Sequence, residues 1–419
     1  MPLTVTICTC RVDFMGLKTL IFTMIMGSFA YGNIGTWTTP GTAITTSSIV
    51  LNSSDVFSCY IKRTNQIAFA WADQFHKPTM IVYNAQNPSF SSLIQSVNTA
   101  DATNTQVYPT VDTGLNEVFL SIGAAGLPDS IYYSTYPYLT PSPLTSFTEI
   151  GSYFAGRGCF SCYNSKNGEM VFNWTDSSTG DPTFITLNDS TGVLSGSYSI
   201  SSPATPLEIV SCYNSDLNQV VFSWRISYNQ QPYYAIYNGS YQQIASGSIS
   251  STYTAKDNVF CANNNNSNQT VFSFADQTSS IPYYAIYDHI LNKITVVASI
   301  SSASLASHTV CCCHNSRLNQ YVFSWRDLTT GFPYYAIYDV DAGSVVESGS
   351  IPSSTLVVND VNCCYNHALN QVVFNWTGNG SGYPYYAIYT MPIPSHLQRG
   401  DLLDAAKYNN KRYLKKITE

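Results

Sequence analysis

The sequence predicts an all-β, seven-bladed β-propeller with four-stranded blades, and three observations lead to that fold class. The hexapeptide PYYAIY begins at residues 232, 282, 333 and 384, which is a period of 50 or 51 residues. A second pattern, exemplified by NQVVFSW, occurs seven times and ends at residues 71, 122, 174, 224, 274, 325 and 376. Residues 33–390 show no convincing helical period. Repeats of this length are typical of propeller blades, so seven repeats indicate seven blades.

Each repeat contains four short strands separated by turn-forming residues. In residues 310–360, the apolar run VCCCHN is followed by the turn SRLN and by the β-branched and aromatic run QYVFSW. The turn RDLTTGFP then leads to YYAIYD, and the segment ESGSIPSS connects to the next repeat. A linear β-solenoid is the alternative, but its rungs are usually shorter and less rich in Tyr and Trp.

The alternation of side chains along PYYAIY predicts a strand that is buried on both faces. The first Tyr, the Ala and the last Tyr share one face, while the second Tyr and the Ile share the other. Inner strands of a blade are covered by neighbouring blades, which favours packing as the role of these tyrosines. A row of ligand platforms is the alternative interpretation.

The ring is predicted to close through a strand from the N-terminal end of the chain. The seventh repeat ends with its third strand, and the following TMPIPSHLQ has no strand pattern. The segment GTWTTPGTAI at 35–44 resembles the fourth strand GSYQQIASGSI at 239–249. We therefore expect residues 35–44 to pair antiparallel with residues 385–389 and to place Trp37 like Tyr241, because an unclosed ring would leave an open sheet edge.

The two ends of the chain differ from the repeats. Residues 1–30 read as a signal peptide, with a true start at Met15 as one possibility and cleavage near Ala30. We expect export to a secreted or cell-envelope location, and no membrane span in the mature chain because the apolar run is short. After the propeller at 31–390, residues 391–419 form a basic tail, expected to be a frayed helix or disordered. Its run DLLDAAKYNNKRYLKKI resembles half of an ankyrin repeat.

Cysteines recur once per repeat on the predicted innermost strand. Six occupy nearly the same place in their repeats: Cys59, Cys162, Cys212, Cys261, Cys313 and Cys364. A column of small, free thiols is one interpretation. A bridge between adjacent blades, for instance from Cys313 to Cys363, is the other, provided that the surroundings are oxidising. One Cys per fifty residues without paired His does not match a zinc site, so we expect no metal and no cofactor.

Charge excludes some classes of partner. Residues 31–390 contain 10 basic and 21 acidic residues, a net charge of −11. Such a propeller is poorly suited to nucleic acid and better suited to neutral ligands such as sugars.

The sequence does not favour an enzyme. A sialidase-type glycoside hydrolase would need paired carboxylates and, in that class, an arginine cluster and Asp-box turns. The Asp-box pattern SxDxGxxW does not occur, and residues 31–390 hold five arginines. Four recurrent aspartates after the aromatic pattern are interpreted as turn residues: Asp73, Asp176, Asp276 and Asp327.

The layout of the repeats resembles that of the fucose-binding propeller lectins of bacteria and fungi. In both, a first strand of small residues precedes an aromatic second strand, a Tyr-rich third strand and a Gly–aromatic fourth strand, here GSY at 239–241 and GTW at 35–37. The chain also resembles exported bacterial propeller repeats. The resemblance covers residues 33–390 and implies a binding protein without catalytic activity.

We therefore predict a secreted, non-catalytic binding module for carbohydrate. A protein-interaction scaffold or adhesin is the alternative, and a sialidase-type hydrolase is a second one. The expected partners are glycans or a surface protein. If sugars bind, the candidate residues lie at the ends of second strands, where aromatic and polar groups could line pockets between blades: Trp224, Arg225, Trp325, Arg326 and Trp376.

Overall fold

The computed structural model describes residues 35–392, apart from 46, 52–53, 92–93, 96–105, 125–129, 139–146, 153 and 302, together with two short strands nearer the N-terminus. These two strands, Cys8–Cys10 and Phe22–Met24, pair antiparallel. Residues Trp37–Met391 form one compact unit, and no helix occurs among the described residues. The predicted cleavage site at Ala30 and the tail from residue 393 onwards lie outside the described residues.

Seven antiparallel sheets confirm the predicted propeller of four-stranded blades. Blade 1 contains Phe57–Ile61, Gln66–Ala72, Pro78–Asn84 and Ser89–Phe90, with Ile94–Gln95 also paired to its third strand. Blade 2 contains Val107–Asp112, Glu117–Ala124, Ser130–Pro137 and Thr148–Ser152. Blade 3 contains Phe154–Asn164, Glu169–Asp176, Pro182–Asn188 and Tyr198–Ser199. Blade 4 contains Pro206–Asn214, Gln219–Ile226, Pro232–Asn238 and Gln243–Ser248.

The remaining three blades repeat this plan. Blade 5 contains Phe260–Asn264, Gln269–Ala275, Pro282–Asp288 and Lys293–Ser299. Blade 6 contains Cys311–Asn315, Gln320–Arg326, Pro333–Asp339 and Ser344–Ser350. Blade 7 contains Val357–Asn366, Gln371–Gly378, Pro384–Thr390 and, as its fourth strand, Thr36–Ala43. The first strand of every blade contacts the first strands of both neighbouring blades, so these strands form a closed inner ring.

The first residue of each aromatic pattern has a backbone reason for its identity. In blade 3 this residue is Gly168, at φ +66°. In the other six blades it is an asparagine with φ between +51° and +63°: Asn65, Asn116, Asn218, Asn268, Asn319 and Asn370. Only Gly, and to a lesser degree Asn and Asp, adopts this left-handed conformation at low cost. The recurrent asparagine therefore marks the turn between first and second strands.

The four recurrent aspartates have the predicted role in the turns between second and third strands. In blade 6, Asp327 Oδ1 accepts hydrogen bonds from the backbone N–H groups of Thr329 and Thr330. In blade 1, Asp73 Oδ1 accepts them from Phe75 and Lys77. These side chains stabilise turns locally, as Asp does in many tight turns.

The tyrosines of PYYAIY mainly pack neighbouring blades together. The ring of Tyr284, the second Tyr in blade 5, lies 5.8 Å from Phe323 and 4.8 Å from Tyr338, which are both in blade 6. The equivalent Tyr386 of blade 7 contacts Phe69 and Tyr83 of blade 1. The second Tyr of the hexapeptide in one blade thus packs against aromatic residues in the second and third strands of the next blade.

Closure by the N-terminal strand is confirmed. The Ile44 N–H donates to Pro384 O at 2.7 Å, just as the Ile249 N–H donates to Pro232 O at 2.8 Å in blade 4. The Thr38 hydroxyl also donates to Ile388 O. Because the later residue of the N-terminal strand meets the earlier residue of the third strand, the two strands run antiparallel. Trp37 also has the place predicted from Tyr241, because each ring packs on the third residue of the third strand of the preceding blade.

The propeller extends one residue beyond the predicted boundary at 390. Met391 is buried, and its carbonyl accepts a hydrogen bond from Asn370 Nδ2 at 2.9 Å. Its sulfur lies 2.8 Å from Asn315 Nδ2 of blade 6. Met391 therefore belongs to the seam between blades 6 and 7 rather than to the tail.

Candidate functional site

The three tryptophans predicted as ligand platforms are fully buried. Trp224, Trp325 and Trp376 each have 0 % exposure. Each ring packs on the first Tyr of PYYAIY in its own blade, with centroid distances of 5.3, 5.1 and 6.1 Å, respectively. This arrangement favours the packing interpretation for these indoles, since no ring face is open to a ligand.

Arg225 and Arg326, which follow two of these tryptophans, are half-buried and form hydrogen bonds from one blade towards the next. Arg225 Nη1 donates to the carbonyl of Lys256 at 2.6 Å, and Arg326 Nη1 donates to the carbonyl of Val358. Lys256 lies in the segment that leads into blade 5, and Val358 lies in the first strand of blade 7. The five predicted residues therefore belong to three separate blades and are not brought together in one pocket.

A half-exposed aromatic side chain, Trp37, lies at the seam between blades 6 and 7, where it packs on buried tyrosines. We call Trp37, Tyr335, Tyr389 and Glu347 the 6–7 seam cluster. The Trp37 ring lies 5.3 Å from Tyr335, edge to face, and 4.9 Å from Tyr389. The half-exposed Glu347 accepts hydrogen bonds from the hydroxyls of Tyr335 at 2.6 Å and Tyr389 at 2.5 Å, both on Oε1. Burial and the hydrogen bond to Glu347 raise the pKa of Tyr335, so its hydroxyl stays a donor.

A second cluster of the same design lies at the seam between blades 3 and 4. It consists of Tyr241, Tyr198, Phe184 and Glu169, and we call it the 3–4 seam cluster. Tyr241 stands where Trp37 stands, and its ring lies 5.7 Å from both Tyr198 and Phe184. The Tyr241 hydroxyl donates to Glu169 Oε2. Burial and this carboxylate raise the pKa of Tyr241.

The two clusters share a recurring chemistry. Each has a half-exposed aromatic side chain at or just before the fourth strand, an aromatic partner on the preceding blade, and a carboxylate that accepts a hydrogen bond from at least one tyrosine. Sequence reasoning placed Trp37 and Tyr241 correctly but gave them only a structural role. The signal that could have identified them is the Gly–aromatic start of the fourth strand, GTW and GSY.

A cavity of about 160 Å³ lies on the propeller axis and is lined by first-strand residues of all seven blades. Phe57, Tyr108 and Phe160 cover one side, and their rings pack against one another. Cys311 and Cys363 lie among the lining residues of blades 6 and 7.

Two carboxylates, Asp55 and Asp360, lie two residues before Phe57 and Asn362, which line the cavity. Gln106 Nε2 donates to Asp55 Oδ2 at 2.7 Å, and the Asp360 N–H donates to Asp55 Oδ1 at 3.1 Å. Burial and the charge of Asp360 raise the pKa of the Asp55 carboxyl well above its ordinary value. These bonds join blades 1, 2 and 7. Over the described residues, no group of three or more His, Cys, Asp or Glu side chains could hold a metal ion.

In the part of the chain that the structure describes, no helix is long and apolar enough to cross a membrane.

Comparison with protein-family models finds no match, and comparison with curated proteins finds none either. Solved structures match at the level of fold. The Raptor structure from Chaetomium thermophilum is 9 % identical with a TM-score of 0.58, over 86 % of this chain and 29 % of that one. An oligogalacturonate lyase in complex with manganese is 12 % identical with a TM-score of 0.52, over 93 % and 97 %. The BBS1N structure in complex with ARL6DN is 9 % identical with a TM-score of 0.54, over 86 % and 98 %.

The chain thus spans less than a third of the Raptor chain that it matches. Identities near 10 % with such different proteins support the propeller fold alone.

Proposed function

We propose that the protein is an exported, non-catalytic module that binds neutral carbohydrate at its blade seams. The observation that supports the proposal is the 6–7 seam cluster, in which the half-exposed indole of Trp37 packs on Tyr335 and Tyr389, whose hydroxyls donate to the carboxylate of Glu347. Aromatic faces and a few convergent polar groups are the usual lining of ligand sites, and the apolar faces of sugar rings pack on such aromatic surfaces.

Charge and hydrogen bonding suit a neutral sugar. Both tyrosine hydrogen bonds end on Oε1 of Glu347, which leaves Oε2 to accept from a ligand hydroxyl; ionised acceptors make the stronger hydrogen bonds. The net charge of −11 over residues 31–390 disfavours acidic sugars and nucleic acid. The 3–4 seam cluster offers a second, weaker site, since Tyr241 presents a smaller ring than Trp37.

A glycan array tests the proposal directly. We expect binding to neutral glycans by the wild-type protein and at least a tenfold loss in the Trp37→Ala variant, with partial retention in Trp37→Phe, which keeps an aromatic ring in the seam. Tyr228→Ala is the matched control, because Tyr228 is a 71 % exposed aromatic residue in a turn of blade 4. An array without any hit would overturn the carbohydrate proposal, and cleavage of fluorogenic glycosides would overturn its non-catalytic part.

A protein-interaction scaffold is the second candidate, and one observation favours it. Turns between second and third strands carry exposed apolar side chains in blades 1, 4 and 6: Phe75 at 67 %, Tyr228 at 71 % and Leu328 at 46 %. These turns lie at the same end of every blade, so the side chains could contact one partner surface. A triple substitution of these residues by Ser should then abolish capture of the partner, whereas glycan binding should survive it.

A further inference from the structure

Neighbouring blades meet through one recurring pair of first-strand positions. At the seam of blades 2 and 3, Thr110 Oγ1 lies 2.7 Å from Ser161 Oγ. At the seam of blades 7 and 1, the equivalent residues Cys364 and Ser58 share a side-chain hydrogen bond. The same two positions therefore bring side-chain heteroatoms into contact at different points of the ring.

Two seams carry cysteine at both positions. At the seam of blades 4 and 5 the pair is Cys212 and Cys261, and the two thiols share a hydrogen bond. Cys212 pairs with Val221 in the sheet, and Cys261 Sγ lies 3.9 Å from the carbonyl oxygen of that same valine.

The seam of blades 6 and 7 repeats this geometry. Cys313 pairs with Val322, and Cys363 Sγ lies 3.8 Å from the Val322 carbonyl oxygen. The thiols of Cys313 and Cys363 also share a hydrogen bond. The first strands of these blades are direct neighbours, and a disulfide spans Cα separations of up to about 7 Å.

We propose that Cys212–Cys261 and Cys313–Cys363 are disulfide sites that join blades 4 to 5 and 6 to 7 when the protein meets a small-molecule disulfide. The thiols are free in the structure. The remaining seams lack a cysteine at one or both positions, so the cross-links would be confined to these two places.

The axial cavity is where we expect a small-molecule disulfide to reach the two pairs. Cys261 and Cys363 both line the cavity, and Cys363 is half-buried. The thiolate of Cys363 attacks one sulfur of a disulfide RS–SR, which releases one RSH after protonation. The thiolate of Cys313 then displaces the second RS group, which also leaves as RSH. The two cysteines lose two electrons and two protons, and RS–SR gains both.

The test uses the full chain equilibrated with oxidised and reduced glutathione at a series of ratios. Free thiols are then blocked, and the protein is digested without reduction for mass spectrometry. We expect the linked peptides Cys212–Cys261 and Cys313–Cys363, and a fall in free thiols from 12 to 8.

Two variants make the test specific. Cys363→Ser should abolish the Cys313 link and keep the Cys212–Cys261 link. It should fold, because a Ser already meets a Cys in this way at the seam of blades 7 and 1. Cys312→Ser is the matched control and should leave both links intact. Linkage through Cys312, links between two chains, or a constant count of 12 free thiols at every ratio would each overturn the proposal.

Discussion

Substituting the buried tryptophans one at a time by phenylalanine separates packing from ligand binding. The Trp325 indole N–H donates to Ser304 Oγ at 3.0 Å. The indole N–H groups of Trp224 and Trp376 are buried without a hydrogen-bond partner in the protein. The same chemical change should therefore have different consequences at positions that the repeat makes equivalent.

The magnitudes follow from these contacts. Replacing Trp by Phe leaves a small cavity, which costs about 1–2 kcal/mol at each site. At Trp325 the lost hydrogen bond adds about 1 kcal/mol, so Trp325→Phe should destabilise by about 2–3 kcal/mol. At Trp224 and Trp376 the variant also removes a buried, unpaired donor whose burial costs about 1–3 kcal/mol. Removing this unpaired donor therefore offsets the free-energy cost of the cavity, and the stability of these variants should stay within about 1 kcal/mol of the wild type.

Guanidinium denaturation and calorimetry of the three variants measure this ranking, and the glycan array measures binding in parallel. We expect Trp325→Phe to be the least stable of the three, with glycan binding intact in all. Equal losses of stability at the three positions would refute the hydrogen-bond argument. Loss of binding at an unchanged melting temperature would show that a tryptophan acts as a ligand platform after all.

Three further predictions concern the ring. Deleting residues 35–44 removes the fourth strand of blade 7 and its hydrogen bonds, such as Ile44 N–H to Pro384 O, each worth about 1 kcal/mol, so the melting temperature should fall by roughly 5 °C or more. Deleting residues 393–419 should leave the melting temperature unchanged, and equal effects of the two deletions would contradict closure. Burial lowers the pKa of His289 and His314 to about 4 in the folded protein, against about 6.5 in the unfolded chain. Because the unfolded chain therefore binds protons first, the free energy of unfolding should be highest above pH 6.5 and should decline as the pH falls towards 4. Denaturation at several pH values checks this, and His314→Phe should flatten the decline. Oxidation of the two cysteine pairs closes loops of about 50 residues, which should raise the unfolding free energy by about 4 kcal/mol for each disulfide. If calorimetry finds the cross-linked protein no more stable than the reduced protein, the disulfides do not fit the native fold without strain.

The propeller was predictable because the sequence repeats its structural landmarks. The left-handed asparagine or glycine before each second strand and the proline that begins most third strands have local causes. Ile44 could be matched to Ile249 by pattern alone, and the structure gives both the same backbone bond to a third-strand proline. Closure through the N-terminal strand followed from counting strands.

The candidate site was less predictable because it depends on what covers each side chain. Trp325 lies at a strand end, where a sequence pattern cannot distinguish a rim position from a covered one. The structure covers it with Ser304 from the segment that leads into blade 6. Arg326 extends to the backbone of blade 7, an acceptor that no local pattern encodes.

Cys261 shows the limit of register prediction. The repeat suggested the same place as Cys212, but Cys261 pairs with Phe272, whereas Ala262 pairs with Val271, the counterpart of Val221. A shift of one residue moves a side chain to the opposite face of a strand. The bridge that the sequence suggested, between Cys313 and Cys363, has the contact it needs, and the shift of Cys261 creates a second one.

Fluorescence quenching tests the central claim, sugar binding on Trp37, most directly. All six tryptophans lie within the described residues, and five are at most 3 % exposed, whereas Trp37 is half-exposed. Acrylamide should therefore quench mainly Trp37. At a saturating concentration of the best neutral glycan from the array, we expect this quenching to fall to the level of the Trp37→Phe variant. Quenching that stays the same when the glycan binds would contradict a sugar site at the seam of blades 6 and 7.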